Sequence, residues 1–186
     1  MFEIILIALL LSSPICIFFG IKAFIKSCND NTNQGIPQTD EQRLNNLNKR
    51  IFASYFGLTS KGETGENCAE LQLLKLTIPK KIIRNAYIPN KNTTAEIDLI
   101  LITEYGIYVI ECKNYSGWIF GSQNGRNWTQ TLNKKSKYKF YNPILQNNTH
   151  IKALSSYLNI NIEKFHSIIV FGRNAEFKKI PPNTNE

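Results

Sequence analysis

Asp98, Glu111 and Lys113 stand inside two runs that are otherwise largely apolar, Ala95-Glu96-Ile97-Asp98-Leu99-Ile100 and Tyr108-Val109-Ile110-Glu111-Cys112-Lys113. Burying a charged side chain costs several kcal/mol unless it is paired or holds a metal. An acid on one strand and Glu-x-Lys on the next therefore have the makings of a site rather than of a scaffold. Acids that collect a divalent cation beside a lysine suit phosphodiester hydrolysis.

The elements that must position these groups are two strands of a hairpin. Side chains alternate along a strand, so Glu111 and Lys113 share one face while Ile110 and Cys112 take the other. If Thr103-Glu104-Tyr105-Gly106 makes a four-residue loop, Ile102 faces Ile107 and Asp98 comes opposite Glu111. A three-residue loop would set Asp98 against Cys112 and separate the acids. The metal reading needs the first register, or a bulge near Gly106. A solvated charged face is the competing reading, and it suits strands covered on both sides poorly, because both runs are apolar at nearly every other position.

The chain of 186 residues is long enough for one ordinary domain with extra segments. Its net charge of +8 agrees with an anionic partner, nucleic acid or an acidic membrane surface. Cys16, Cys28, Cys68 and Cys112 show no paired spacing, so they read as free thiols and not as a zinc site or disulfide framework.

From Ile4 to Ile21 the chain carries no charge and is dominated by Ile, Leu and Phe. A membrane-spanning helix needs about 20 such residues, and Pro14 would kink but not forbid one. Met1-Phe2-Glu3 lacks the basic start of a cleaved signal peptide. Lys22 and Lys26 flank the carboxyl side, which predicts a single-pass anchor with the globular part in the cytoplasm.

The expected organisation is an anchor over 1–26, a polar linker with a possible helix from Glu41 to Phe56 over 27–60, a globular domain over 61–178, and a disordered tail over 179–186. Within the domain, Gly62-Glu63-Thr64-Gly65-Glu66 precedes a helical pattern through Cys68, Leu71, Leu74 and Leu76 that closes near Pro79. Ile82-Ile83 and Ala86-Tyr87-Ile88 read as a strand ahead of the hairpin. Trp118 to Gly121 and Asn127 to Thr129 make two short aromatic strands. The basic connector Lys134-Lys135-Ser136-Lys137-Tyr138-Lys139 leads to Asn142-Pro143, a helix cap followed by proline at the first helical position, with the helix running to about Leu158. His166 to Phe171 is a last, apolar strand. This order predicts an α/β fold with a central mixed sheet.

Gly65-Glu66, Glu96-Ile97-Asp98, Gly106-Ile107-Tyr108, Glu111-Cys112-Lys113-Asn114-Tyr115-Ser116-Gly117 and Asn142-Pro143-Ile144-Leu145-Gln146-Asn147 together resemble the nuclease-related domain (NERD) family. That family is similar to the PD-(D/E)xK phosphodiesterase superfamily, and the resemblance spans about Lys61 to Phe171. It implies a restriction-endonuclease-like central mixed sheet flanked by helices. It also implies catalytic roles for Glu66, Asp98, Glu111, Lys113 and Gln146. Asp98 and Glu111 would hold Mg²⁺ (or Mn²⁺), with Glu66 joining through water, since oxygen ligands suit hard cations. Lys113 would orient the attacking water or steady charge on the phosphate, and Gln146 would bond a phosphate oxygen or the water. Ile97 stands where the wider superfamily often has proline.

Bland readings accompany these roles. Glu66 could serve the helix dipole, and Gln146 could sit on an exposed helix face; His150, one turn beyond Gln146, could reach the same site or be a surface residue. Lys134, Lys135, Lys137 and Lys139, interleaved with aromatics, could neutralise phosphates while rings stack on bases, or form a solvated loop. Two functions from different classes follow. One is a membrane-anchored, metal-dependent nuclease acting on DNA. The other is a catalytically silent nucleic-acid-binding or protein-interaction module at the membrane.

Overall fold

A computed structural model describes residues 5–9, 39–55, 61–90, 93–133 and 135–179. Among them, strands β1 (Ile5–Leu9), β2 (Lys80–Asn90), β3 (Thr93–Thr103), β4 (Gly106–Lys113) and β8 (Phe165–Phe171) form one mixed sheet in the order β1-β8-β4-β3-β2. Only β4 and β8 run parallel in it. Helix α1 (Asp40–Tyr55) packs on α2 (Lys61–Leu74), and α3 (Pro143–Leu158) lies on the sheet. A second sheet, ordered β7-β6-β5-β9, contains β5 (Gly117–Phe120), β6 (Asn127–Leu132), β7 (Ser136–Tyr141) and β9 (Ala175–Lys179). The α/β class and central mixed sheet follow the expectation.

Both faces of the first sheet are covered, which is why its strands read as nearly continuous apolar runs. Ile151, Ala153 and Leu154 of α3 pack with Ile83, Ala86, Ile97, Ile100, Ile107 and Val109. On the other side Ala69, with Leu73 and Leu74, packs with Ile82, Leu99, Leu101, Ile110, Ile168 and Val170. Helix α3 starts where the cap chemistry places it. The Asn142 Oδ1 accepts from the Ile144 N–H at 2.9 Å with Pro143 behind it, and Asn159 ends the helix in the left-handed conformation at φ 52°. Asn147, fully buried, bolts the helix down by donating from Nδ2 to the Val109 carbonyl and the Ser167 hydroxyl, both at 2.8 Å.

Several local expectations change. Helix α2 begins at Lys61, so Gly62 to Glu66 lie within it instead of preceding it. Gly65 is tolerated there because a Cβ would come 2.9 Å from the Asn114 Cβ; close packing outweighs helix propensity. Lys137 and Lys139 belong to a strand, not a connector, because Trp128 to Leu132 offers β6 as a full pairing partner. Strand β9, which pairs in parallel with β5, is an element beyond those expected. Of the tail expected to be disordered over 179–186, Lys179 instead ends β9, which β5 pairs, and the rest lies outside the described residues, as does Lys134.

Ile5–Leu9, part of the run expected to be a membrane helix, is instead a strand antiparallel to β8, where it satisfies that strand's free edge. The rest of the run lies outside the described residues. Among the described residues no helix is long and apolar enough to cross a membrane.

Candidate functional site

The hairpin closes on a Thr103–Gly106 pair around Glu104-Tyr105, and Ile102 faces Ile107. This register sets Asp98 level with Glu111. The β3–β4 ladder is paired from Thr103–Gly106 to Leu99–Ile110 and goes no further. At the same level β2 pairs Arg84 with Leu99 and Ala86 with Ile97 but skips Asn85, which adopts φ 49°. The alternation slips there in both strands. Ile83 and Ala86 pack with one cluster, as do Ile97 and Ile100, although strict alternation would divide each pair. Such irregularities re-aim side chains beside functional sites. Here the slip releases Asp98 from the ladder, and its Oδ2 accepts the Cys112 N–H at 2.7 Å.

Glu111, 2 % exposed, is the most deeply buried of the acids here. Its Oε1 accepts from the Lys113 Nζ at 2.5 Å. Its Oε2 faces the His150 Nδ1 at 3.5 Å, and neither of these two buried atoms has a hydrogen-bond partner. Burial first, and Asp98 second, push the Glu111 carboxyl up to about 7, while Lys113 opposes the shift. Burial also raises Asp98, with the Cys112 N–H and Lys113 acting in the opposite sense. His150 is lowered by burial and then by Lys113. The arrangement is one of acids held close against their own repulsion, a feature of sites built to receive positive charge.

Glu66 is half-buried on α2 and raised by burial and then by Asp98, so it shares this electrostatic neighbourhood. Its carboxylate, however, pairs with Arg84 at 3.2 Å. Arg84 also donates to Glu70 at 3.0 Å and Asn67 at 2.5 Å, and Glu70 is held from its other side by Arg43 of α1. Among the described residues no three His, Cys, Asp or Glu side chains converge on one point that could hold an ion. Glu66, expected to join Asp98 and Glu111 through water, is thus engaged with Arg84 rather than set among direct ligands. Asp98 and Glu111 suit a hard cation as a two-carboxylate set completed by water, a pattern Mg²⁺ tolerates well. The orphaned, buried Oε2 of Glu111 fits that reading.

Gln146 is half-buried on α3, four residues before His150 and so on the same helix face. Lys135, Lys137 and Lys139 are exposed, the last two on edge strand β7. Cys112 packs on the α2 side with Ile110 and Val170, away from Glu111, as expected, and Cys68 and Cys112 are free thiols. Glu96 is exposed and accepts from the Tyr87 hydroxyl at 2.8 Å.

Two residues, Arg84 and Asn114, escape a reading of the sequence, and His150 is read there only as one of two alternatives. Arg84 has the look of a solvated strand position, and only its place opposite α2 reveals its partners. His150 reads as a lone histidine, although its i+4 spacing from Gln146 signals the shared face. Asn114 sits where an added Cβ at Gly65 would meet its Cβ at 2.9 Å and one at Gly172 would meet its Oδ1 at 2.4 Å. The two glycines thus admit the segment that follows Lys113, and the signal for it is the pair of glycines itself.

Residues 61–172 match the family described as nuclease-related domain. Over 97 residues the chain is 42% identical to an uncharacterized protein of Bacillus anthracis, a stretch covering 50% of this chain and 45% of that protein. The chain thus spans less than half the length of that relative. No solved structure matches. The matched residues run from the first turn of α2 through the hairpin carrying Asp98, Glu111 and Lys113 to the end of β8, and on that extent the chain belongs to the nuclease-related domain family.

Proposed function

We propose that this chain is a metal-dependent nuclease that hydrolyses phosphodiester bonds in DNA. The observation that carries the reading is the opened end of the β3–β4 ladder, where Asp98 and Glu111 come level beside Lys113 and one Glu111 oxygen is buried without a partner. Asp98 and Glu111 would hold Mg²⁺ or Mn²⁺, which supplies an activated water and neutralises charge on the phosphate. Lys113, fixed by Glu111, presents its ammonium to the developing negative charge. Glu66, held by Arg84, acts on the site through its field and through water. Gln146, one turn before His150 on α3, would serve as a donor to phosphate oxygen or water. The lysines of β7, with exposed Tyr138 and Tyr141, offer a backbone-tracking surface.

A membrane location is part of the proposal, with residues 4–21 as the span. It requires Ile5–Leu9 to leave β8, because the strand uses residues the span would need. Retention of the full chain in membranes after alkaline carbonate washing, and its release on removing residues 1–26, would support it.

The second reading, a silent binding module, draws on the commitment of Glu66 to Arg84. One experiment separates the two. The full chain is incubated with linear, circular and single-stranded DNA and with RNA, in Mg²⁺, Mn²⁺ or EDTA, beside Asp98→Asn and Lys113→Met. The nuclease predicts metal-dependent cleavage that falls by roughly 10²-fold or more in both variants, with DNA binding retained. Folded protein that binds DNA and never cleaves it would establish the module instead.

A further inference from the structure

Glu111 Oε2 and His150 Nδ1 confront one another in the interior. The Glu111 side chain is 2 % exposed and that of His150 9 %, the atoms are 3.5 Å apart, and both lack hydrogen-bond partners. Leaving two buried polar atoms unsatisfied against each other costs free energy that a fold normally avoids. The separation is long for a hydrogen bond, and it is short for a bridging water, which would hold two acceptors roughly 4.5 Å apart. An ion about 2.0–2.2 Å from each donor holds them roughly 3.0–3.6 Å apart at ordinary ligand angles.

We infer that His150 is a metal ligand, its Nδ1 and the Glu111 Oε2 gripping one cation between them, so that the site takes Mn²⁺ in preference to Mg²⁺. The inference rests on the metal-dependent reading above and refines it: the direct ligands are Glu111 and a nitrogen donor on α3, with Asp98 reaching the ion through water, since the three side chains do not converge on one point. Carboxylate oxygen serves both ions, whereas imidazole favours transition ions over Mg²⁺. Lys113 occupies the other Glu111 oxygen, which leaves Oε2 as the one directed at His150. Helix α3 is held rigidly enough to present the ring, through the Asn142 cap and the buried Asn147 bonds at either side of Gln146.

The test uses the full chain without an affinity tag. The chain has two histidines, and His166 lies at the opposite end of β4, against Tyr108. Mn²⁺ binding is followed by electron paramagnetic resonance, with pulsed measurement of ¹⁴N modulation from a coordinated imidazole, in the unsubstituted protein and in His150→Gln. The expected result is ¹⁴N modulation in the unsubstituted protein that disappears in His150→Gln. Mn²⁺ affinity should fall by roughly tenfold or more, as loss of even an outer-shell partner does, with Mg²⁺ affinity little changed. Should the variant not fold, modulation in the unsubstituted protein still decides. Mn²⁺ bound without ¹⁴N modulation, or equally well in both proteins, overturns the role of His150 and leaves the two-carboxylate reading standing. No Mn²⁺ or Mg²⁺ binding at all overturns both.

Discussion

The Asp98 carboxylate takes the Cys112 N–H at 2.7 Å, at the point where the ladder between their strands ends. The acid therefore has a structural task as well as a chemical one. Asp98→Asn preserves an oxygen acceptor, whereas Asp98→Ala leaves a part-buried N–H without one, at a cost of about 1 kcal/mol, the low end for such a loss. Thermal unfolding should show Ala below Asn, while both abolish metal-dependent cleavage. Equal melting temperatures would remove the structural task.

Arg84 is the hinge of a charge network that joins α1, α2 and β2. Glu70, 4% exposed at its side chain, depends on Arg84 and Arg43 together. Removing one partner of a buried pair costs about 3–5 kcal/mol. Arg84→Met should lower the urea midpoint accordingly. Arg84→Lys should fail to restore it, because one ammonium cannot reach Glu66, Asn67 and Glu70 as the planar fork does. Full rescue by lysine would contradict this.

The buried His166 is lowered from its usual 6.5, chiefly by desolvation. Its folded form resists protonation, so the unfolded chain takes up the proton first as pH falls. Stability contributed by neutral His166 is intact above about pH 6.5 and declines below it. Glu111, raised to about 7, acts with the opposite sign over the same range, so the comparison between two proteins is the informative quantity. His166→Phe should lose less melting temperature than the unsubstituted chain between pH 7.5 and 5. Parallel curves would refute the assignment.

Trp128 is 1% exposed, stacks on Phe171 at 6.1 Å, and donates from its indole to the Ser122 carbonyl at 3.0 Å. An added Cβ at Gly121 would lie 2.2 Å from the indole. Trp128→Ala should cost about 3–5 kcal/mol, and Gly121→Ala about 1–3 kcal/mol or more through overpacking. Calorimetry of the two variants checks both, and a neutral Gly121→Ala would show that the ring can move.

Lys137 and Lys139 sit on an edge strand, where lysine also discourages edge-to-edge pairing. If they meet phosphates, Lys137→Gln with Lys139→Gln should weaken DNA binding and reduce the salt slope by about 0.9 for each phosphate that is no longer neutralised. An unchanged slope would leave them with edge protection alone.

The amino-acid sequence by itself determined the features that depend on near neighbours. Apolar runs on both sides of Asp98 and Glu111 required a doubly covered sheet, Asn142-Pro143 set the start of α3, and two-residue periodicity with a short turn brought the two acids level. The tertiary structure alone decided what faces what across long separations. Arg84 meets Glu66 and Glu70 only because β2 passes beneath α2, and His150 becomes a buried partner of Glu111 only because α3 crosses that strand. β7 and β9 alternate charged with apolar residues over only six and five positions, too few to fix a strand by themselves, so their strand form depends on partners, β6 and β5, that local sequence does not name. Local patterns reflect burial and chain direction. Pairing energy between distant groups is realised only once the fold has closed the distance.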